Sequence, residues 1–209
     1  MSKLRILGII FLTVGFLAGL TILILEILKP RTAGLRVETN PASEVYLGGK
    51  FLGTTPLDTI LKPAEISLKL IPKDGLLQPY ITKINLLDGV KTVVRRNFGD
   101  SEGESSGDID YFDKNPDDQA SIIVISVPDS AQVTIDNKKV GLTPYKNSSL
   151  ASGVHEIKVV KEGYLERKLK VQIYRGYQLT SIVKLAALKQ ETPTLGPTPF
   201  ATEPGSPAI

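Results

Sequence analysis

The spacing of apolar residues changes character along the chain. From Ile6 to Leu25 no charged residue occurs, and apolar side chains appear at every helical face. A helix this long, rising about 1.5 Å per residue, reaches across a hydrocarbon layer of roughly 30 Å. Beyond it the period becomes two. Leu35-Arg-Val-Glu-Thr-Asn-Pro41 alternates, as do Ile66, Leu68 and Leu70, then Ile122-Ile-Val-Ile-Ser-Val-Pro128, then His155, Ile157 and Val159. Alternation of this kind marks strands with one buried face. Residues 100–119 and 189–209 show no apolar period. The pattern predicts an all-β protein: two tandem small Ig-like β-sandwich modules after an N-terminal transmembrane helix.

The strands come in duplicate. Val45-Tyr-Leu-Gly-Gly-Lys-Phe-Leu-Gly-Thr-Thr-Pro56 is matched by Val133-Thr-Ile-Asp-Asn-Lys-Lys-Val-Gly-Leu-Thr-Pro144, with valine, glycine, threonine and proline at identical offsets. A repeat at this period means two folded units of one type. Features shared by both copies belong to the architecture, and a specific site should break the symmetry. Gly48-Gly49 and Asp136-Asn137 are two-residue connectors that reach the positive backbone angles of a tight hairpin. Folding about them sets Val45 opposite Leu52 and Val133 opposite Val140. Gly53 and Gly141 close the second strand, and the Thr-Pro that follows stops the ladder.

This arrangement resembles the PEGA domain, a small all-β module of bacterial and archaeal surface proteins. Its run is roughly P-E-G-A, then V-x-[VI]-D-G-x-x-x-G-x-T-P, then a G-Y pair. The second copy carries Pro128-Asp-Ser-Ala131, Val133, Gly141, Thr143, Pro144 and Gly163-Tyr164. The first carries Pro41-Ala-Ser-Glu44, Val45, Gly53, Thr55, Pro56 and a displaced Tyr80. Serine replaces the tetrapeptide's glycine in the second copy, and the first is one residue shorter. The resemblance implies a structural role for these residues and no reaction. The family is associated with cell-surface and S-layer-like proteins.

The modules are expected over 33–99 and 120–188, near the lower size at which one core supports a domain. Six to seven short strands each, with turns at Lys73-Asp74-Gly75, Asp88-Gly89 and Arg175-Gly176, suit a sandwich. Residues 100–119 are acidic and rich in glycine and serine, and are expected to form a flexible linker. Residues 189–209 are expected as a disordered Pro/Thr-rich tail.

The apolar run is longer than the core of a signal peptide, and Glu26, Lys29 and Arg31 follow it instead of a small-residue cleavage site. An uncleaved single-pass anchor over 6–28 is expected. With no cysteine in the chain, no lipid thioether can form. Lys3 and Arg5 nearly balance Lys29 and Arg31. The exported character of the β modules breaks the tie, placing residues 1–5 in the cytoplasm and the modules outside, extracellular or periplasmic. A net charge of +3, from 25 basic and 22 acidic residues, selects no partner. Without a basic stripe interleaved with aromatics, nucleic acid is not expected as one.

Enzymatic chemistry has little to stand on. The chain has no thiol and a single histidine, His155, whose counterpart in the first module is Ile66. It is expected to be a partly buried strand residue, not a catalytic base. No cofactor is expected. Asp108, Asp110 and Asp113 place carboxylates at short spacing, the weak outline of a calcium site. An EF-hand loop, however, wants glycine where Lys114 stands and oxygen where Phe112 stands. Tyr46, Tyr80, Tyr164, Tyr174 and Tyr177 are aromatic residues of the kind that stack on sugar rings, although Tyr164, following the glycine of the G-Y pair, is expected to be structural. Tyr174 and Tyr177 flank a turn without a counterpart in the first module, which makes them the candidate ligand patch. Asn147-Ser-Ser149 matches the N-glycosylation sequon.

The expected function is non-catalytic: a membrane-anchored envelope protein whose tandem modules bind or space wall polymer, S-layer or another surface protein, gaining avidity through the linker. The alternative is an accessory subunit of a membrane-embedded secretion or wall-synthesis complex. There Gly8, Gly15, Ala18 and Gly19 would let another helix approach the anchor.

Overall fold

The computed structural model describes residues 2–27 and 30–189, with helix side chains described for Gly8 and residues 11–24. The tail expected over 189–209 lies, apart from Lys189, outside the described residues. The uncharged run forms a helix, α1 (Ser2–Ile27). Among the described residues no helix is long and apolar enough to cross a membrane. The structure by itself therefore does not make α1 a span. Among the described residues, all else is strand, turn and loop.

The first module contributes β1 (Ala33–Asn40), β2 (Ser43–Leu47), β3 (Lys50–Thr54), β4 (Leu57–Leu61), β5 (Ala64–Pro72), β6 (Tyr80–Leu86) and β7 (Lys91–Asn97). An intervening strand is β8 (Ser106–Lys114). The second module repeats the series as β9 (Ser121–Val127), β10 (Gln132–Ile135), β11 (Lys138–Leu142), β12 (Tyr145–Asn147), β13 (Gly153–Val160), β14 (Arg167–Ile173) and β15 (Tyr177–Lys184). Each module owns a four-stranded sheet, ordered β3-β2-β5-β6 or β11-β10-β13-β14, and both share a seven-stranded sheet ordered β12-β9-β15-β8-β7-β1-β4. Leu35, Val37, Val45, Leu68, Leu70 and Val94 fill the first sandwich. Ile122, Val124, Val133, Ile157, Val159 and Leu179 fill the second.

The linker expectation is corrected here. The stretch 100–119 is not a free spacer, because it contains β8, which pairs antiparallel with β7 on one side and β15 on the other. β1 runs parallel to β7, and β9 parallel to β15. The two halves of the shared sheet are thus mirrored in order and alike in direction about β8. That relation is a two-fold axis along β8, and it puts the two small sheets on opposite faces. The side chains of β8 obey it: Ile109 packs on the first core and Phe112 on the second.

The repeated hairpins form as expected, with one correction of register. Gly48, Gly49, Asp136 and Asn137 all have positive φ. Val45 pairs with Gly53 and Val133 with Gly141, not with Leu52 and Val140, because a bulge inserts one residue in each hairpin's second strand. Both strands stop just before Thr-Pro, as predicted. The peptide bonds preceding Pro41, Pro56, Pro128 and Pro144 are cis.

Candidate functional site

The motif threonines have a defined task. Thr55 Oγ1 accepts the amide of Ser43 at 2.9 Å, and Thr143 Oγ1 accepts that of Ala131 at 3.0 Å. Each also meets the hydroxyl at the end of the preceding long strand, Thr39 or Ser126. Both threonines are buried. They fasten the end of β1 or β9 to the start of β2 or β10 and give the buried Ser43 and Ala131 amides an acceptor. Gly163, with φ of 81°, turns the chain so that Tyr164 bridges to Ala187 and packs on the second core. Tyr80 opens β6, with the Arg96 guanidinium 4.2 Å above its ring.

Asp108 and Asp110 lie two apart on β8, so both point to the same face, toward the second module's core. Arg95 of β7 reaches Asp108 at 2.5 Å and Asp110 at 2.9 Å. Arg167 of β14 donates to Asp108 at 2.7 Å, and the Ser181 hydroxyl to Asp110 at 2.6 Å. Burial, reinforced by the charge of Asp108, pushes the Asp110 carboxyl up to about 6, against the hydrogen bonds of Ser181 and Arg95. These carboxylates are consumed by two guanidinium groups. Asp113 sits on the opposite face of the strand, so the three expected calcium ligands do not converge. Among the described residues no cluster of His, Cys, Asp or Glu could hold a metal ion.

The Tyr174–Tyr177 patch divides in two. Phe112 and Tyr174 have ring centroids 5.4 Å apart, Phe112 and Tyr177 6.2 Å. Tyr177 belongs to the junction, packing with Leu87 and Val90 from the β6–β7 loop against the second core. Tyr174 stays 42% exposed and looks into a cleft. That cleft, of about 360 Å³, lies between the free edge of β14 and the outer face of β1 and β7. It is absent from any one-module reading because each module supplies one wall.

His155 is a strand residue as expected, but it is buried and not partly buried, and it has the orienting carboxylate that the sequence did not reveal. Its Nδ1 lies 2.6 Å from Asp136 of the hairpin turn, and its Nε2 lies 2.9 Å from the carbonyl of Ala151. Burial lowers the imidazole, yet Asp136 and the Ala151 carbonyl together leave it above its ordinary value. With both ring nitrogens engaged, neither is open to a substrate, so the ring clamps the turn. The role of Asp136 could have been read from its counterpart: where the turn has glycine, at Gly48, the strand has Ile66.

With this geometry, the molecule is a duplicated all-β protein whose modules share a sheet. Residues 119–188, which comprise the second module, match the PEGA domain. No curated protein matches the chain. Among solved structures, the Bacillus anthracis TIE protein is similar over 76% of this chain at 16% identity, with a TM-score of 0.24. The match covers 34% of that protein, so this chain spans about a third of its length.

Proposed function

We propose that this is a non-catalytic, membrane-tethered protein of the cell envelope that binds or spaces envelope components with two PEGA-like modules. The carrying observation is the surface of α1. Phe11, Leu12, Val14, Phe16, Leu17 and Leu20 are all exposed, and at 100° per residue they cover every side of the helix. A helix that is apolar all round needs an apolar surrounding, and lipid supplies one on every side. The fusion of the modules through β8 replaces the avidity-by-linker idea with a fixed pair of binding surfaces. The first module serves as a PEGA-like unit because it repeats the strand order, hairpin and threonine fastening of the second.

The test is fractionation of the full chain expressed in a bacterial host. It should sediment with membranes and resist alkaline carbonate, and external protease should reach the modules in spheroplasts. Leu12→Arg combined with Phe16→Arg should release it. Recovery of the unaltered chain in the soluble fraction would sink the tethered reading.

A further inference from the structure

The two-fold axis along β8 generates a pair of clefts. One is the 360 Å³ cleft beside β14; its mate, about 250 Å³, lies beside β6 and is lined by Glu65, Thr82, Lys83, Tyr111 and Ile182 among others. Architecture accounts for what the two share, so chemistry must be sought in what differs. The β14 cleft is floored by Arg36, Glu38, Lys91 and Arg95, with Gln172 and Tyr174 on its wall.

Three of its four basic groups are paired, Arg36 with Glu38, Lys91 with Asp58 at 2.8 Å and Arg95 with Asp110, while Lys170 adds a further positive charge on the β14 wall. A bare anion entering would face Glu38 and Asp110, and a bare cation would face four basic groups, Arg36, Lys91, Arg95 and Lys170. A ring bearing several hydroxyls suits both signs, because each hydroxyl donates to carboxylates and accepts from guanidinium or ammonium groups. Tyr174 adds a platform. Its ring is open to the cleft and backed by Phe112, so little freedom is lost when a ligand stacks on it. The volume falls within the roughly 300–1,000 Å³ of small-ligand sites, and a few convergent polar groups on a partly apolar wall complete the pattern.

We propose that this cleft is a saccharide subsite, taking a short stretch of a polysaccharide with a sugar ring on Tyr174 and its hydroxyls between Arg36, Glu38 and Gln172. The proposal rests on the envelope-binding reading above and names its ligand class. Its test makes no use of membrane attachment, so failure of one is distinguishable from failure of the other.

The experiment is titration of the purified full chain, in detergent, with chitotetraose, cellotetraose and tetragalacturonate, followed by calorimetry and saturation-transfer NMR. Saturable binding of at least one probe is expected, weakened roughly tenfold by Tyr174→Ala and also weakened by Arg36→Ala. Tyr111→Ala in the mate cleft should leave it unchanged. Preference for the neutral probes assigns recognition to ring and hydroxyls, and preference for the galacturonate adds a carboxylate contact with Arg36; both support the subsite. Should Tyr174→Ala fail to fold by thermal melting, Arg36→Ala decides alone, since that side chain is half exposed. The proposal is overturned if no probe saturates at millimolar concentration, or if binding survives the loss of Tyr174 and Arg36.

Discussion

At the level of single residues, recurrence was legible and its purpose was not. Thr55 and Thr143 stood out as repeated letters before proline, but a hydroxyl's partner two strands away leaves no local trace. Their removal makes a direct prediction. Thr143→Val leaves the buried Ala131 amide without its acceptor, while the Ser126 hydroxyl still donates to the Pro128 carbonyl, and should cost about 1–3 kcal/mol in denaturant unfolding. Thr55→Val should cost a similar amount by the same mechanism in the first module. Asp108 carries more. Asp108→Ala strands Arg167 in a partly desolvated junction, while Arg95 keeps Asp110, and should lose about 3 kcal/mol. The acidic residues were misread as solvated because composition counts charge, whereas burial depends on whether an opposite charge waits across the sheet.

Among the elements, the hairpins and alternating strands were readable because turn chemistry and period two act within a few residues. The bulge was not, since a tight turn with glycine two positions beyond the last pair fits either register until the partner strand is placed. β8 is the element the pattern concealed. Its inward positions are Asp108, Asp110 and Phe112, and its other face has Ile109 and Tyr111, so it never alternates as a half-buried strand should. Amide exchange separates the two views of this segment. Amides of residues 107–113 should exchange as slowly as those of β7 and β15, which flank them. Exchange at coil rates would restore the flexible spacer.

For the whole molecule, the shared sheet makes the modules one body. A single cooperative unfolding transition is expected for the described β region, with calorimetric and van't Hoff enthalpies in agreement; two separated transitions would mean that β8 does not couple them. The pH response follows from the same junction. Because the folded state raises Asp110 to about 6, it holds that proton more tightly than the unfolded chain, so this group's contribution falls as pH rises from about 4 to about 6. His155, also raised, contributes stability below its ordinary value that is lost as pH climbs through its folded one. The unaltered protein should therefore gain in Tm relative to Asp110→Asn when pH is lowered from 7 to 5, a comparison in which His155 cancels. An unchanged difference would contradict the burial of that carboxylate.

By itself the sequence determined the all-β class, the duplication, the hairpin turns and the Thr-Pro stops, because each is written in contacts between neighbours along the chain. Only the tertiary structure decided that the modules share a sheet, that the acidic stretch is its central strand, and that Tyr174 opens into a cleft while Tyr177 closes the junction. The reason is physical. Those outcomes depend on pairing between strands as distant as β8 and β15, and on which charges are neutralised when water is excluded. Neither leaves a period in the sequence.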